Sequence, residues 1–176
     1  MLVIAGLGAP AWDITAAGDH DLNFPMWGAM GGATMIGLGL ALAQPKRKVL
    51  VVTGDGEMLM GLGSLATIAV QKPRNLAIVV LDNEHYGETG MQETHTGHGV
   101  DLAGMAKAAG FARTLRVKTL AGVSRLKHLI YSGRGALFAQ VKVDAEKLPL
   151  VLPPRDGSLL KNRFRAALLG AEALHQ

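Results

Sequence analysis

The runs Val49-Leu-Val-Val-Thr53 and Leu76-Ala-Ile-Val-Val-Leu81 constrain this chain most, because each is apolar throughout until a polar residue closes it. A strand wetted on one face alternates apolar and polar residues. A strand apolar on both faces must be covered on both, as in a parallel sheet between helices. Leu2–Ala5, Asn23–Trp27, Phe111–Val117 and Ala136–Val143 read as further strands. Helical stretches separate them: about Pro10 to Ala17, Ala33–Ala43, Gly61–Lys72 before Pro73, Leu102–Ala109 behind a capping Asp101, and Leu120–Tyr131. The alternation predicts an α/β fold with a doubly wound, mostly parallel sheet and helices on both faces. Residues 1–148 would form this domain. Pro149, Pro153 and Pro154 then stiffen a connector, and Ser158–Leu174 reads as an amphipathic helix, so 149–176 forms an appendage.

Composition narrows the function classes. With 49% hydrophobic and 18% charged residues, a chain of 176 residues can bury one sizeable core. The net charge of +4 arises mainly at 46–48, 113–134 and 155–165, without interleaved aromatic residues, so the reading is no nucleic acid. No cysteine is present, which removes disulfides, thiolate metal sites and cluster ligation, and agrees with a cytoplasmic location. The Met1-Leu-Val-Ile-Ala-Gly start lacks the basic flank of a signal peptide. The uncharged stretch from Leu22 to Pro45 is long enough to span a bilayer, but Pro25 and several glycines interrupt it. A buried strand, a tight turn and a core helix account for it better, so no membrane span is expected.

Chemistry concentrates where the two best strands end. Thr53-Gly-Asp-Gly56 follows the first and Leu81-Asp-Asn83 the second. In open parallel sheets ligands bind outside the carboxyl ends of the strands. Neighbouring strands lie about 5 Å apart, close enough for two side chains to share an ion. Gly54 and Gly56 let the backbone turn tightly and admit a bulky anion, while Asp55 places a charge where a helix begins. A carboxylate beside a phosphate needs a cation between them. Mg²⁺ suits that place, since it prefers oxygen ligands and substrate phosphates to a full protein cage. Asp55 could instead be a plain helix cap. A dinucleotide-binding module is another reading, but position 59 is Leu where its third glycine belongs.

The ordered set of motifs resembles the thiamine-diphosphate enzymes, in their pyrophosphate-binding domain. Gly54-Asp55-Gly56, an intervening helix and strand, and Asn83 match the motif of that family in order and spacing. Phe24-Pro-Met-Trp-Gly-Ala-Met-Gly-Gly and Ile36-Gly-Leu-Gly-Leu-Ala-Leu-Ala look like the segment that precedes it in the decarboxylases. Asp82-Asn-Glu-His-Tyr-Gly-Glu-Thr-Gly90 looks like the metal loop of the sulfopyruvate and phosphonopyruvate decarboxylase group.

The resemblance implies roles residue by residue. Asp55, the side-chain oxygen of Asn83 and the carbonyl of His85 would bind Mg²⁺. Gly54 belongs to the same cofactor-binding turn, and the amides of Gly56 and Glu57 would meet the diphosphate, with the Glu57 side chain pointing away. The carbonyl of Gly28 would accept from the pyrimidine amino group, and Met30 would prop the cofactor in its bent form. His95 and His98 are candidates for substrate or proton transfer, weighed against ordinary solvated loop histidines. The essential Glu of the family lies on a pyrimidine-binding domain, which here would be a partner chain in a heterotetramer or larger assembly. The implied activity is non-oxidative decarboxylation of a 2-oxo acid, a 3-substituted pyruvate such as sulfopyruvate or phosphonopyruvate. Carboligation of the acetolactate synthase kind and a 2-oxo acid oxidoreductase subunit are the alternatives.

Overall fold

The computed structural model describes residues 1–174 and joins the apolar runs into one six-stranded sheet. In chain order the elements are β1 (Leu2–Ala5), α1 (Ala9–Ala16), β2 (Asn23–Pro25), α2 (Ala33–Ala43), β3 (Val49–Gly54), α3 (Asp55–Met60), α4 (Gly63–Gln71) and β4 (Leu76–Asp82). Then follow β5 (His85–Tyr86), β6 (Gln92–Glu93), α5 (Leu102–Ala109), β7 (Arg113–Val117), α6 (Leu120–Ser132), β8 (Leu137–Lys142) and α7 (Gly157–Leu169). The strand order is β2-β1-β3-β4-β8-β7, and every pair is parallel. Among the described residues only the short β5–β6 hairpin, outside this sheet, is antiparallel.

Alternation along β4 shows why the run is apolar throughout. Ile78 and Val80 pack with Val51 and Phe138 beneath Leu38 of α2, Ile68 of α4 and Ala106 of α5. The intervening Ala77 and Val79 pack with Ala139 and Val141 beneath Leu126 of α6. Each such aliphatic side chain contributes about 1.5–3 kcal/mol when fully buried. Helices therefore cover both faces, as the sequence predicts. The chain runs from β1 to β2 on one side and returns to β3 on the other. That reversal opens a crevice at the carboxyl ends of β1 and β3.

Several boundaries differ from expectation. The helix expected over Gly61–Lys72 starts at Gly63, and Asp55–Met60 forms a separate helix before it. The break is steric: a Cβ at Gly61 would lie 2.4 Å from the Gly31 carbonyl oxygen, so two backbones meet where no side chain fits. The second strand ends at Pro25, short of Trp27. Asp101 stands at the N-cap position of α5 but makes no side-chain cap, because its carboxylate is taken by Arg116 (Nε–Oδ1 2.8 Å). The expected core helix α2 buries one face only, leaving Met35, Ile36 and Leu42 exposed.

The tail helix α7 stops at Leu169 and passes into a 3-10 turn over Gly170–Leu174. Asp156 caps it by accepting from the amides of Ser158 and Leu159. Phe164 packs edge-on against Phe24, with ring centroids 5.7 Å apart. Arg163 forks onto the Asp19 carboxylate at 2.5 and 3.0 Å. Ahead of the helix, Trp27 donates its indole N–H to the Pro154 carbonyl (2.7 Å). Among the described residues no helix is long and apolar enough to cross a membrane.

Candidate functional site

Asp55 and Asn83 stand at the carboxyl ends of adjoining strands, because β3 and β4 pair in register up to Gly54 opposite Leu81. Strand β3 runs directly into α3, with Gly54 as the N-cap and Asp55 as the first helical residue. Capping is therefore not the work of the Asp55 side chain. It is 2% exposed and points instead to the loop beyond β6, where Thr94 and Thr96 both bond its Oδ2, Thr96 at 3.0 Å. No neighbouring side chain bonds Oδ1 among the described residues.

A second carboxylate lies beside it. Asp82 is fully buried and accepts from Gln140 (2.5 Å) and Lys142 (2.8 Å), and it shares the single hydroxyl proton of Thr96 with Asp55 (Thr96 Oγ1–Asp82 Oδ1 2.7 Å). The register of β4 with β8 places Asp82 opposite Lys142, so the ion pair follows from strand pairing. Lys142 also reaches Glu84 at 2.5 Å. The two acids diverge in consequence. Burial raises the pKa of Asp55, and the negative Asp82 raises it further, against the hydrogen bonds of Thr94 and Thr96. Burial works in the same direction on Asp82, but bonds from Lys142, Gln140 and Thr96 outweigh it and hold that carboxyl below its usual range. Asp82 is thus a neutralised carboxylate, whereas Asp55 is a buried acid with no cation of its own.

Glu57, the third residue of α3, faces the other way. Thr53 donates to it at 2.6 Å and the Ala33 amide at 3.3 Å, and the amides of Gly31 and Leu7 also bond it. Burial pushes its pKa up, because amides and a hydroxyl surround it rather than cations. The acid ties the start of α2 to β1 and β3. A Cβ at Gly6 would lie 1.8 Å from Glu57 Oε2, so a larger residue here would displace the Glu57 carboxyl from its bonds. The Gly28–Gly32 turn is closed by the Gly32 amide on the Ala29 carbonyl (2.8 Å), with Ala29 held in the left-handed region at φ 58°. A Cβ at Gly28 would meet nothing within 4 Å, and Met30 is 38% exposed, so both border open space.

The loop after β4 is shaped by Asn83. Its side-chain oxygen accepts the His85 amide (3.0 Å), and its carbonyl lies 2.8 Å from His85 Nδ1. Glu84 between them has φ 64°. Farther on, the 3-10 turn at His95–His98 buries Thr94 and Thr96 against the carboxylates and turns both histidines to solvent. His98 Nε2 lies 3.0 Å from exposed Glu93. The histidines drew attention in the sequence, yet the threonines beside them reach Asp55. Their only signal was the Thr-x-Thr alternation inside a polar loop, which points two short hydroxyls the same way. Gln140 and Lys142 were equally hidden, as polar residues at the end of an apolar strand.

The donor set fits a hard cation shared with a ligand. Among the described residues no group of three or more His, Cys, Asp or Glu side chains could hold a metal. What the strand ends provide is one uncompensated carboxylate, an amide oxygen with a spare lone pair, and backbone carbonyls. Mg²⁺ bound to phosphates takes that kind of partial protein coordination.

Comparison with known proteins shows the family of this chain. Residues 9–138 match the family model described as thiamine pyrophosphate enzyme, C-terminal TPP binding domain. The sulfopyruvate decarboxylase subunit beta of Methanococcus maripaludis is 35% identical over 170 residues, covering 95% of this chain and 89% of that one. The same-named subunit of Methanocaldococcus jannaschii is 45% identical over 109 residues, or 62% of this chain and 57% of that one. Phosphonopyruvate decarboxylase of Streptomyces hygroscopicus is 45% identical over 109 residues, 62% of this chain but 27% of its own length. The chain thus spans little more than half of one of these relatives and about a quarter of another. Among solved structures, benzoylformate decarboxylase of Polynucleobacter necessarius superposes with a TM-score of 0.67 at 22% identity, over 85% of this chain and 31% of that one, a likeness of fold. The chain belongs to the thiamine pyrophosphate enzymes and carries their C-terminal TPP binding domain.

Proposed function

We propose that this chain is the thiamine-diphosphate-binding subunit of a heteromeric, non-oxidative 2-oxo acid decarboxylase, acting on a 3-substituted pyruvate such as sulfopyruvate or phosphonopyruvate. The observation that carries the proposal is the buried Asp55, bonded through Oδ2 by two threonines and without a cation, at the end of the strand beside Asn83. The names of the related subunits support the reaction and the need for a partner.

In this reading Asp55, the Asn83 side-chain oxygen and the His85 carbonyl would hold Mg²⁺. Thr94 and Thr96 fix the Asp55 carboxylate before the ion arrives, so little ordering is left to do on binding. The first amides of α3, at Gly56 and Glu57, would meet the diphosphate, while the Glu57 carboxyl stays turned toward Thr53. Gly28 and Met30, bordering open space, would take the pyrimidine amino group and the bend between the rings. Bound thiamine diphosphate supplies the electron sink that decarboxylation requires. The pyrimidine-binding partner would provide the activating Glu and close the crevice, and His95 and His98 face outward where substrate and partner would approach.

Titration of thiamine diphosphate with Mg²⁺ tests the clamp. Asp55→Ala should weaken binding at least a hundredfold while the fold persists; unchanged affinity would overturn the metal assignment. Sulfopyruvate turnover by this chain purified alone would overturn the claim that the essential Glu arrives on a partner.

A further inference from the structure

The amino end of the sheet, opposite Asp55 and Asn83, carries a site of opposite charge. We infer that the cavity where Lys46, Arg47, Lys48, Arg74 and Arg134 converge binds a small polyphosphate anion. It is an open hollow of about 320 Å³ lined by these five cations with Asn75, Tyr131 and Ser132, and no carboxylate lines it. It lies before the first residues of β3 and β4, about 17 Å along the strands from Asp55 and Asn83. The inference is independent of the reading of that distant site.

Three connections build the hollow: 44–48 after α2, 72–75 after α4 and 133–136 after α6. They are stitched to one another. Asn75 donates to the carbonyls of Ala41, Gln44 and Arg47 at 2.7–3.1 Å. The Gly135 amide bonds the Arg74 carbonyl (3.0 Å), and Lys48 donates to the Gly133 carbonyl. The loops are therefore held in place by backbone acceptors; of the five cationic heads Lys48 takes part in that stitching, and the three arginine heads do not.

Most of those heads are idle. Of the nine arginines in the sequence, Arg113, Arg116, Arg155, Arg163 and Arg165 bond carbonyls, carboxylates or a ring. Arg47, Arg74, Arg125 and Arg134 have no side-chain partner among the described residues, and three of these four line this one hollow. Cations past helix ends have an ordinary explanation, since they offset the negative end of the helix dipole. The magnitudes decide against it as the whole account. Three helix ends supply roughly half a negative charge each against five full positive charges, which leaves a surplus of about three and a half. A compact ligand with adjacent phosphates matches that surplus, and fixed loops spare it the ordering cost. A long nucleic acid fits less well, because the cations ring a hollow rather than track a groove.

The test is equilibrium binding of sodium tripolyphosphate to the full chain, in EDTA so that Mg²⁺-dependent binding at Asp55 is silent. The wild type is compared with the triple variant Arg47→Gln/Arg74→Gln/Arg134→Gln, whose substitutions break no hydrogen bond of those side chains. Saturable binding is expected, weakening steeply as salt rises and at least tenfold weaker in the variant. The variant should keep its thermal midpoint and its Mg²⁺-dependent affinity for thiamine diphosphate. Absence of saturable binding, equal affinity in the variant, or tighter binding of a single-stranded oligonucleotide than of tripolyphosphate would each overturn the inference.

Discussion

The two ends of the sheet solve the problem of placing charge in opposite ways. At the carboxyl end Asp55 and Asp82 are buried, and side chains from the 94–96 turn and β8 hold them. At the amino end the cations reach solvent, and backbone carbonyls hold the loops that bear them. Burial makes the first arrangement expensive to disturb, because a stranded charge cannot be rehydrated. The second tolerates loss of any one of the arginine heads of Arg47, Arg74 and Arg134, since water replaces it. One end therefore derives its geometry from its charges, and the other keeps its geometry without its arginines.

The sharpest break should come from Lys142. Lys142→Met leaves Asp82 charged, fully buried and short of its one cation. Removing one partner of a buried pair costs roughly 3–5 kcal/mol, and the partial exposure of Lys142 places this case near the lower figure. Adding Asp82→Asn should recover a large part, since the neutral amide no longer needs the ammonium. Denaturant midpoints of the single and double variants measure this. Equal loss in both would mean that packing by Lys142, rather than charge, matters there.

At the other end the corresponding substitution is not an arginine but Asn75→Ala. It removes a donor shared among three carbonyls and should cost about 1–2 kcal/mol, in line with a half-buried amide that bonds main chain. Loss of Arg74 or Arg134 should change stability by less than about 0.5 kcal/mol, the usual surface effect. An arginine variant that destabilised more than Asn75→Ala would erase the contrast between the two ends.

The sequence made one of these ends far more readable than the other. Burial of both faces of β3 and β4 follows from hydrophobic pattern alone, and so does the placement of Asp55 and Asn83 at adjoining strand ends, which needs only two adjacent parallel strands. The partners of the carboxylates were not legible, because Thr94, Gln140 and Lys142 reach them through a loop fold and a strand register that no local pattern encodes. The sequence pattern starts a helix at Gly61, whereas this glycine serves a close contact with Gly31 thirty residues away. The basic loops were visible as QPKRK, KPR and SGR, but read singly they describe solvated connections. Their convergence is a product of topology, which gathers three helix ends at one end of the sheet.

A similarly small effect concerns a pair that belongs to neither end. Asp19 and Arg163 tie α7 to the loop before β2, and the bond from Arg163 lowers the Asp19 pKa more than its slight burial raises it. A depressed carboxylate pKa makes the tie complete above the unfolded value of about 4 and lost as pH falls through the lower folded value. Water screens this pair, so it should contribute less than about 1 kcal/mol. Hydrogen exchange as a function of pH can read it: amides of α7 should open more readily below about pH 4, while those of β4, beside the buried Asp82–Lys142 pair, stay protected. Arg163→Gln should flatten the response of α7 alone. If β4 opened together with α7 in the wild type, the buried and surface pairs would belong to one cooperative unit, and the tail would not be an appendage in any energetic sense.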